Sequence, residues 1–193
     1  MSSVKQVQGF TLIELMITIT ISAILMAIAI PNISDWIRNA SIAAAGESFQ
    51  NGLRSALGEA MKTNTPVEFA LASTTVSSAN AATTTPAAGG PNWFVMPVSG
   101  GAWIAGQNVS DAYPNVVVGG TSSGVIFSGF GKVSDLTGTA LTANTVFRLS
   151  LSGTTRIVCV YVTPGAGIRS CDPSKPSSDP RACQPALTAA ECS

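Results

Sequence analysis

The sequence contains no histidine, and charged residues make up only 10% of its 193 positions. Without histidine, the chain cannot form a Ser-His-Asp or Cys-His catalytic group or a histidine-ligated metal site. No local pair of carboxylates and no Ser-Lys spacing offers a substitute. We therefore expect a protein that is not an enzyme and needs no cofactor. The formal net charge of +0 also predicts no bulk attraction to nucleic acid.

Charge is scarcest in the apolar run from Phe10 to Ile30, where Glu14 is the one ionisable residue. The run holds about 21 residues, enough for a helix to cross a bilayer. An ordinary signal peptide would have a more basic start and a small-x-small cleavage site after the apolar run. A carboxylate within hydrocarbon is costly unless it has a partner, so Glu14 is a functional candidate.

The stretch GFTLIELM, residues 9–16, resembles the prepilin signature shared by type IV pilins and type II secretion pseudopilins. The resemblance implies that residues 1–9 are a leader, that a prepilin peptidase cuts after Gly9, and that Phe10 is then N-methylated. It also implies that Glu14 pairs with the terminal amine of a neighbouring subunit. Two buried groups of opposite charge from different chains would offset each other's desolvation and set the register between subunits. The rival interpretation is a plain signal anchor with an incidental glutamate.

Residues 31–64 are predicted to form the amphipathic half of the same helix. Apolar residues recur there at spacings of three and four, as in Leu53, Ala56, Leu57 and Ala60. The helix is expected to end between residues 62 and 64, because Pro66 cannot continue it. Pro31 removes one backbone donor and predicts a helix break, which on its own would be a simple kink. The resemblance to pilins implies a site where the helix bends or, in a packed filament, partly melts.

Residues 65–193 are predicted to form a β-rich globular head. Short β-branched and aromatic runs alternate there with turn residues, and they predict eight strands, at 67–72, 93–98, 102–105, 116–118, 125–128, 146–152, 156–163 and 167–171. The low-complexity stretch 73–91 is expected to be a long mobile surface loop. Most of the aromatic residues of the head are expected in its core.

One long helix followed by many short strands predicts an α+β fold, with the helix packed on an antiparallel sheet or sandwich. The order also resembles the GspH/FimT branch of minor pilins and minor pseudopilins, which implies two small antiparallel sheets on the helix.

All four cysteines lie in the last part of the chain, at Cys159, Cys171, Cys183 and Cys192. After an export signal they are expected to form disulfides, and four cysteines allow three pairings. A hairpin centred near Gly165 would place Cys159 opposite Cys171 and permit a cross-strand bond. We favour Cys171–Cys183 with Cys159–Cys192. The proline-rich loop between Cys171 and Cys183 has little to bury and would gain from a covalent tie. A zinc site of four thiolates is the third possibility, although the sequence has no CxxC spacing.

Cations near the cysteines raise the possibility of DNA binding. DNA-capturing minor pilins of this branch carry a Gly-Arg-x-Arg motif before a cysteine, and here residues 166–171 read AGIRSC. Only Arg169 matches an arginine of that motif, and Gly167 stands where the other would be. Lys175 and Arg181 are the further candidate contacts, but nearby aspartates dilute the patch, and phosphate binding gains from clustered cations.

The combined expectation is a minor type IV pilin that assembles rather than catalyses. Its expected partners are the prepilin peptidase, other pilins or pseudopilins, and the inner membrane. It would be anchored there by a single helix, with the head in the periplasm, before it enters a pilus or pseudopilus. The alternatives are a DNA-binding pilin for natural transformation and a minor pseudopilin of a type II secretion system.

Overall fold

Helix α1 begins at Leu12 and ends at Thr63, within the range predicted from Pro66. The computed structural model describes residues 10–120, 122–184 and 192, without the side chains of 29–32. The chain divides into two units, residues 1–37 and 38–193, and α1 contributes to both.

In the first unit, the large apolar side chains of α1 that the structure describes are exposed, from Leu12 at 78% to Trp36 at 71%. Three hydroxyls return their hydrogen bonds to carbonyls of the helix itself, at 2.7–2.9 Å, namely those of Thr18, Thr20 and Ser22. Such bonds make hydroxyl side chains tolerable in an apolar medium. By length and composition, no single described helix qualifies as a membrane span, whereas the pieces Leu12–Ile28 and Ile33–Thr63 qualify when taken together.

In the second unit, α1 buries a stripe of residues at spacings of three and four: Ile42, Ala45, Phe49, Leu53, Ala56 and Ala60. This is the period of one helix face turned towards a core. Two glycines on α1 allow the sheets to come close. A Cβ at Gly46 would lie 2.8 Å from Val158 Cγ1, and one at Gly52 would lie 2.8 Å from both the Phe69 and Trp93 rings.

The strands form two antiparallel sheets, and they confirm the α+β prediction. The described strands are β1 Val67–Ala72, β2 Asn92–Pro97, β3 Ala105–Gln107, β4 Val116–Gly119, β5 Gly124–Phe127, β6 Val133–Ser134, β7 Thr145–Leu151, β8 Ile157–Val162 and β9 Ile168–Cys171. Sheet A has the order β3-β2-β1-β5-β6 and sheet B the order β4-β7-β8-β9. A four-residue helix, α2, spans Val109–Ala112 between β3 and β4.

One core joins α1 to the inner faces of both sheets. At its centre are four aromatic side chains, Phe49 of α1, Phe69 and Trp93 of sheet A and Phe147 of sheet B, with ring centroids 5.7–6.2 Å apart. Trp93 Nε1 also donates to Ser48 Oγ on α1 at 2.9 Å. Aromatic side chains thus supply much of the buried area, as expected from the sequence. Phe130 is an exception, because it is 85% exposed in the turn after β5.

The stretch 73–91, predicted as a long mobile surface loop, is a connection that packs on a sheet. It covers the outer face of sheet A, where its Val76 and Ala81 pack against Phe94 and Met96. Val76 N–H donates to Asn108 Oδ1 at 2.7 Å, and a short 3-10 helix forms at Ala81–Thr83. The low-complexity composition concealed this role because only two apolar residues of the stretch are used for packing.

Candidate functional site

The N-terminal candidate site lies at the start of α1. Glu14 is exposed and sits in the first turn, where its backbone N–H is bound by Thr11 Oγ1 at 3.3 Å. From Phe10 to Ile28 it is the one charged residue among exposed apolar side chains. Gly9 lies outside the described residues. This segment therefore presents a carboxylate and an apolar surface that the second unit's core does not use.

The backbone of α1 is helical through Pro31. The side chain of Pro31 is outside the described part of the chain, so the predicted break at this residue stays a prediction.

The four cysteines form two disulfides, Cys159–Cys192 and Cys171–Cys183, which is the pairing that the sequence analysis favours. Cys159 and Cys171 are also direct partners in the register of β8 and β9, as the hairpin centred near Gly165 predicts. Both disulfides attach the tail to the outer face of sheet B, where the cysteines and Tyr161 are buried. The sulfurs of Cys159, Cys171 and Cys183 lie within 4.8 Å of one another, but as disulfides they offer no thiolate to a metal.

An ion pair between a buried carboxylate and a half-buried arginine links the start of the tail to α1. Asp172, 3% exposed, lies 3.6 Å through Oδ2 from Arg156 Nε, and Arg156 Nη1 donates to the Asn39 carbonyl at 3.0 Å. The second carboxylate oxygen of Asp172 accepts from the Ser174 N–H at 3.0 Å. Asp172 and Arg156 thus serve to hold the tail in place.

The three cations proposed for DNA contact have different surroundings. Arg181 is bound by Asp179 through Nη2–Oδ2 at 2.9 Å and Nε–Oδ1 at 3.1 Å. These hydrogen bonds and the positive charge of Arg181 lower the pKa of the Asp179 carboxyl to about 2. Lys175 and Arg181 line one cavity together with Arg156 and Asp172. Arg169 is exposed on β9, so the three cations do not form one continuous unpaired patch.

Arg169 instead shares a cavity with a residue that the sequence analysis did not select. A cavity of about 450 Å³ lies at the outer edge of β9 and is lined by Gln50 and Arg54 of α1 as well as Arg169 and Ser170 of β9. Arg54 donates to Gln50 Oε1 at 2.9 Å. The sequence could have pointed to Arg54 through its position, because it follows Leu53 directly and therefore lies beside the apolar stripe of α1.

Two family models match the chain. The first, described as the prokaryotic N-terminal methylation motif, matches residues 4–30. The second, described as type II transport protein GspH, matches residues 45–166. The chain belongs to the GspH family. The family match confirms the resemblance to prepilin-like minor pilins and pseudopilins, since the methylation motif and the GspH domain occur in the predicted order.

Two crystal structures of the type IV minor pilin FimU from Pseudomonas aeruginosa PAO1 are similar to this chain at 12% identity. Their TM-scores are 0.46 and 0.49, over 71% and 75% of this chain and 94% and 95% of the FimU chain. No curated protein matches the chain.

Proposed function

We propose that this chain is a minor type IV pilin that is processed by a prepilin peptidase and assembled into a pilus or at its tip. The observation that carries the proposal is the exposed apolar segment that begins within the prepilin motif and has Glu14 as its single charge. Before assembly, this segment holds the protein in the inner membrane with the head in the periplasm. Afterwards, the same segment packs among neighbouring subunits.

Glu14 has a specific task in this proposal. Cleavage after Gly9 creates a new amine at Phe10, and the Glu14 carboxylate binds the corresponding amine of a neighbouring subunit. In a medium without water, each group is costly alone, so the pair forms only when both chains are in register. The head then carries whatever contacts are particular to this subunit.

The proposal is tested at the N terminus of the mature protein. We expect purified protein from the membrane or filament fraction to begin at Phe10 and to carry one N-methyl group, as measured by intact mass and N-terminal peptide sequencing. Gly9→Val is the matched control and should retain residues 1–9. A native protein that retains its first nine residues would contradict the proposal.

The DNA-binding alternative is less well supported by the geometry. Of its three cations, Arg181 is paired with Asp179 and Lys175 lies beside Asp172. Affinity for the phosphate backbone rises with the number of neutralising cations, and of these three only Arg169 has no carboxylate beside it among the described residues, so we expect weak, salt-sensitive binding.

We accordingly expect no retention of duplex DNA in a mobility-shift series at physiological ionic strength, and at most weak retention at low salt. Arg169→Ala should remove that weak retention, and Lys132→Ala, an exposed lysine elsewhere on the head, should not. Tight binding that persists at physiological salt and is lost in Arg169→Ala would favour the DNA-binding alternative over ours.

The second alternative is a minor pseudopilin, and the description of the GspH family as type II transport proteins keeps it open. The processing, the membrane anchor and Glu14 serve both assemblies equally well. The location of the mature protein separates them, because a pilin is recovered with sheared surface filaments and a pseudopilin remains in the cell envelope.

A further inference from the structure

Strand β9 lies at the edge of sheet B, and the contacts around it show which of its backbone groups face away from β8. Thr163 N–H donates to Gly167 O at 2.9 Å, and β8 and β9 continue from there in register. Hydrogen-bonded and non-hydrogen-bonded pairs alternate along antiparallel strands. The backbone groups of Ile168 and Ser170 therefore point away from β8, towards the outer edge.

The backbone hydrogen bond at the end of β9 agrees with this alternation. Asp172 follows Ser170 by two residues, and its N–H donates outwards to Arg181 O at 2.8 Å. The tail thus pairs with this edge at Asp172 and Ala182, and its described residues up to Gln184 form no further bridge with it. Pro180 lies beside Ser170 in the cavity and has no N–H to donate, and Cys183 then turns the tail over the outer face of the sheet.

Two N–H groups and two carbonyls are consequently left at the open edge. In the part of the chain that the structure describes, Ile168 and Ser170 make no backbone hydrogen bond outside β8 and β9. An edge of this kind is a template for another strand. The cavity of about 450 Å³ runs along it, so an incoming chain would have room beside Ser170.

The charges around the edge indicate which chain would fit. Arg54 approaches from α1 and Arg169 from the outer face of sheet B, and no carboxylate of the described residues lines this cavity. Arg54 is hydrogen-bonded to a neutral amide, and Arg169 has no partner among the described residues. Both guanidinium groups thus keep donors for an acidic ligand.

We propose that the free edge of β9 binds an acidic segment of a partner protein in extended conformation, which adds to sheet B as a further strand. Addition of a strand to an exposed edge uses main-chain hydrogen bonds for affinity and side-chain contacts for specificity. The edge offers both donors and acceptors, which match a peptide backbone. A DNA backbone supplies acceptors only, so it would offer no donor to the outward carbonyls of Ile168 and Ser170. This inference does not depend on assembly through Glu14.

The test uses the full chain in detergent and a labelled probe peptide of alternating threonine and glutamate, a soluble sequence with β-branched residues on one face. Fluorescence anisotropy should show saturable binding that weakens as salt is raised. Two control peptides separate the causes of binding. One has lysine in place of glutamate, and the other keeps the glutamates but carries N-methyl groups on alternate backbone nitrogens. Neither should bind measurably at concentrations where the probe saturates.

Variants of the protein test the edge and the charges separately. Ser170→Pro removes an outward N–H at an exposed edge position, where proline is compatible with a strand, and should weaken binding roughly tenfold. Arg54→Gln and Arg169→Gln should each weaken it, whereas Lys132→Gln should not. Circular dichroism of Ser170→Pro confirms that the sheet persists.

Each of three results would overturn the proposal: failure of the probe to bind at millimolar concentration, binding of the N-methylated peptide as tight as that of the probe, or wild-type affinity of a folded Ser170→Pro variant. Displacement of the probe by a duplex oligonucleotide at lower concentration than by unlabelled peptide would likewise assign the cavity to nucleic acid.

Discussion

Replacing Glu14 with alanine is expected to leave the protein in the membrane fraction and to remove it from sheared filaments. The apolar segment from Phe10 to Ile28 keeps its full length in this variant, so insertion does not suffer. Assembly fails because the amine of the neighbouring subunit loses its counter-charge. Breaking one half of a buried ion pair costs about 3–5 kcal/mol, which corresponds to a loss of more than about a hundredfold in incorporation.

The measurement is quantitative immunoblotting of the membrane and filament fractions. Glu47→Ala is the matched control, since Glu47 is an exposed glutamate of the same helix within the second unit. Glu14→Asp keeps the charge on a shorter side chain and should retain part of the incorporation. Normal incorporation of Glu14→Ala would refute the proposed pairing. Wild-type protein that is absent from surface filaments but assembled within the envelope would favour the pseudopilin alternative.

Replacing Gly52 with leucine is expected to unfold the head or to leave it barely stable. A Cβ at this position would lie 2.8 Å from Phe69 Cε2 and from Trp93 Cζ3, and the remaining leucine atoms would extend further into the aromatic cluster. Overpacking of a core by even a few methylenes costs about 1–3 kcal/mol. A whole leucine side chain at Gly52 exceeds that range, because both neighbouring rings are held between α1 and sheet A.

Gly58→Leu provides the comparison on the same helix. A Cβ at Gly58 meets nothing within 4 Å, so the substitution gains helix propensity without a clash. We expect it to stabilise the head by about 0.5–1 kcal/mol. Chemical unfolding followed by the fluorescence of the tryptophans measures the free energy of unfolding of both variants. Equal stability of the two would show that the close approach at Gly52 is not a constraint.

Periodicity was sufficient to predict the main elements. The spacing of Leu53, Ala56 and Ala60 identified the buried face of α1, and Pro66 limited its end. Strand β1 has the predicted bounds, and most other strands differ from prediction by one or two residues. These elements carry a local signal, since alternating or helical burial leaves a pattern in neighbouring residues.

The features that the sequence could not predict depend on contacts between distant segments. The two-residue strand β6 is too short to show a period. The covering role of residues 73–91 depends on Asn108, which lies 32 residues from Val76. The cavity at β9 likewise combines Arg54 with Arg169, and no local pattern joins a helix to an edge strand across the fold.

The way in which α1 is built into the head has a consequence for its unfolding. Residues 42–60 of α1 pack against the inner faces of both sheets within the second unit. Neither sheet can separate from this helical segment without opening the core that the other sheet shares. We therefore expect the two sheets to melt together, in one cooperative transition, rather than as independent layers.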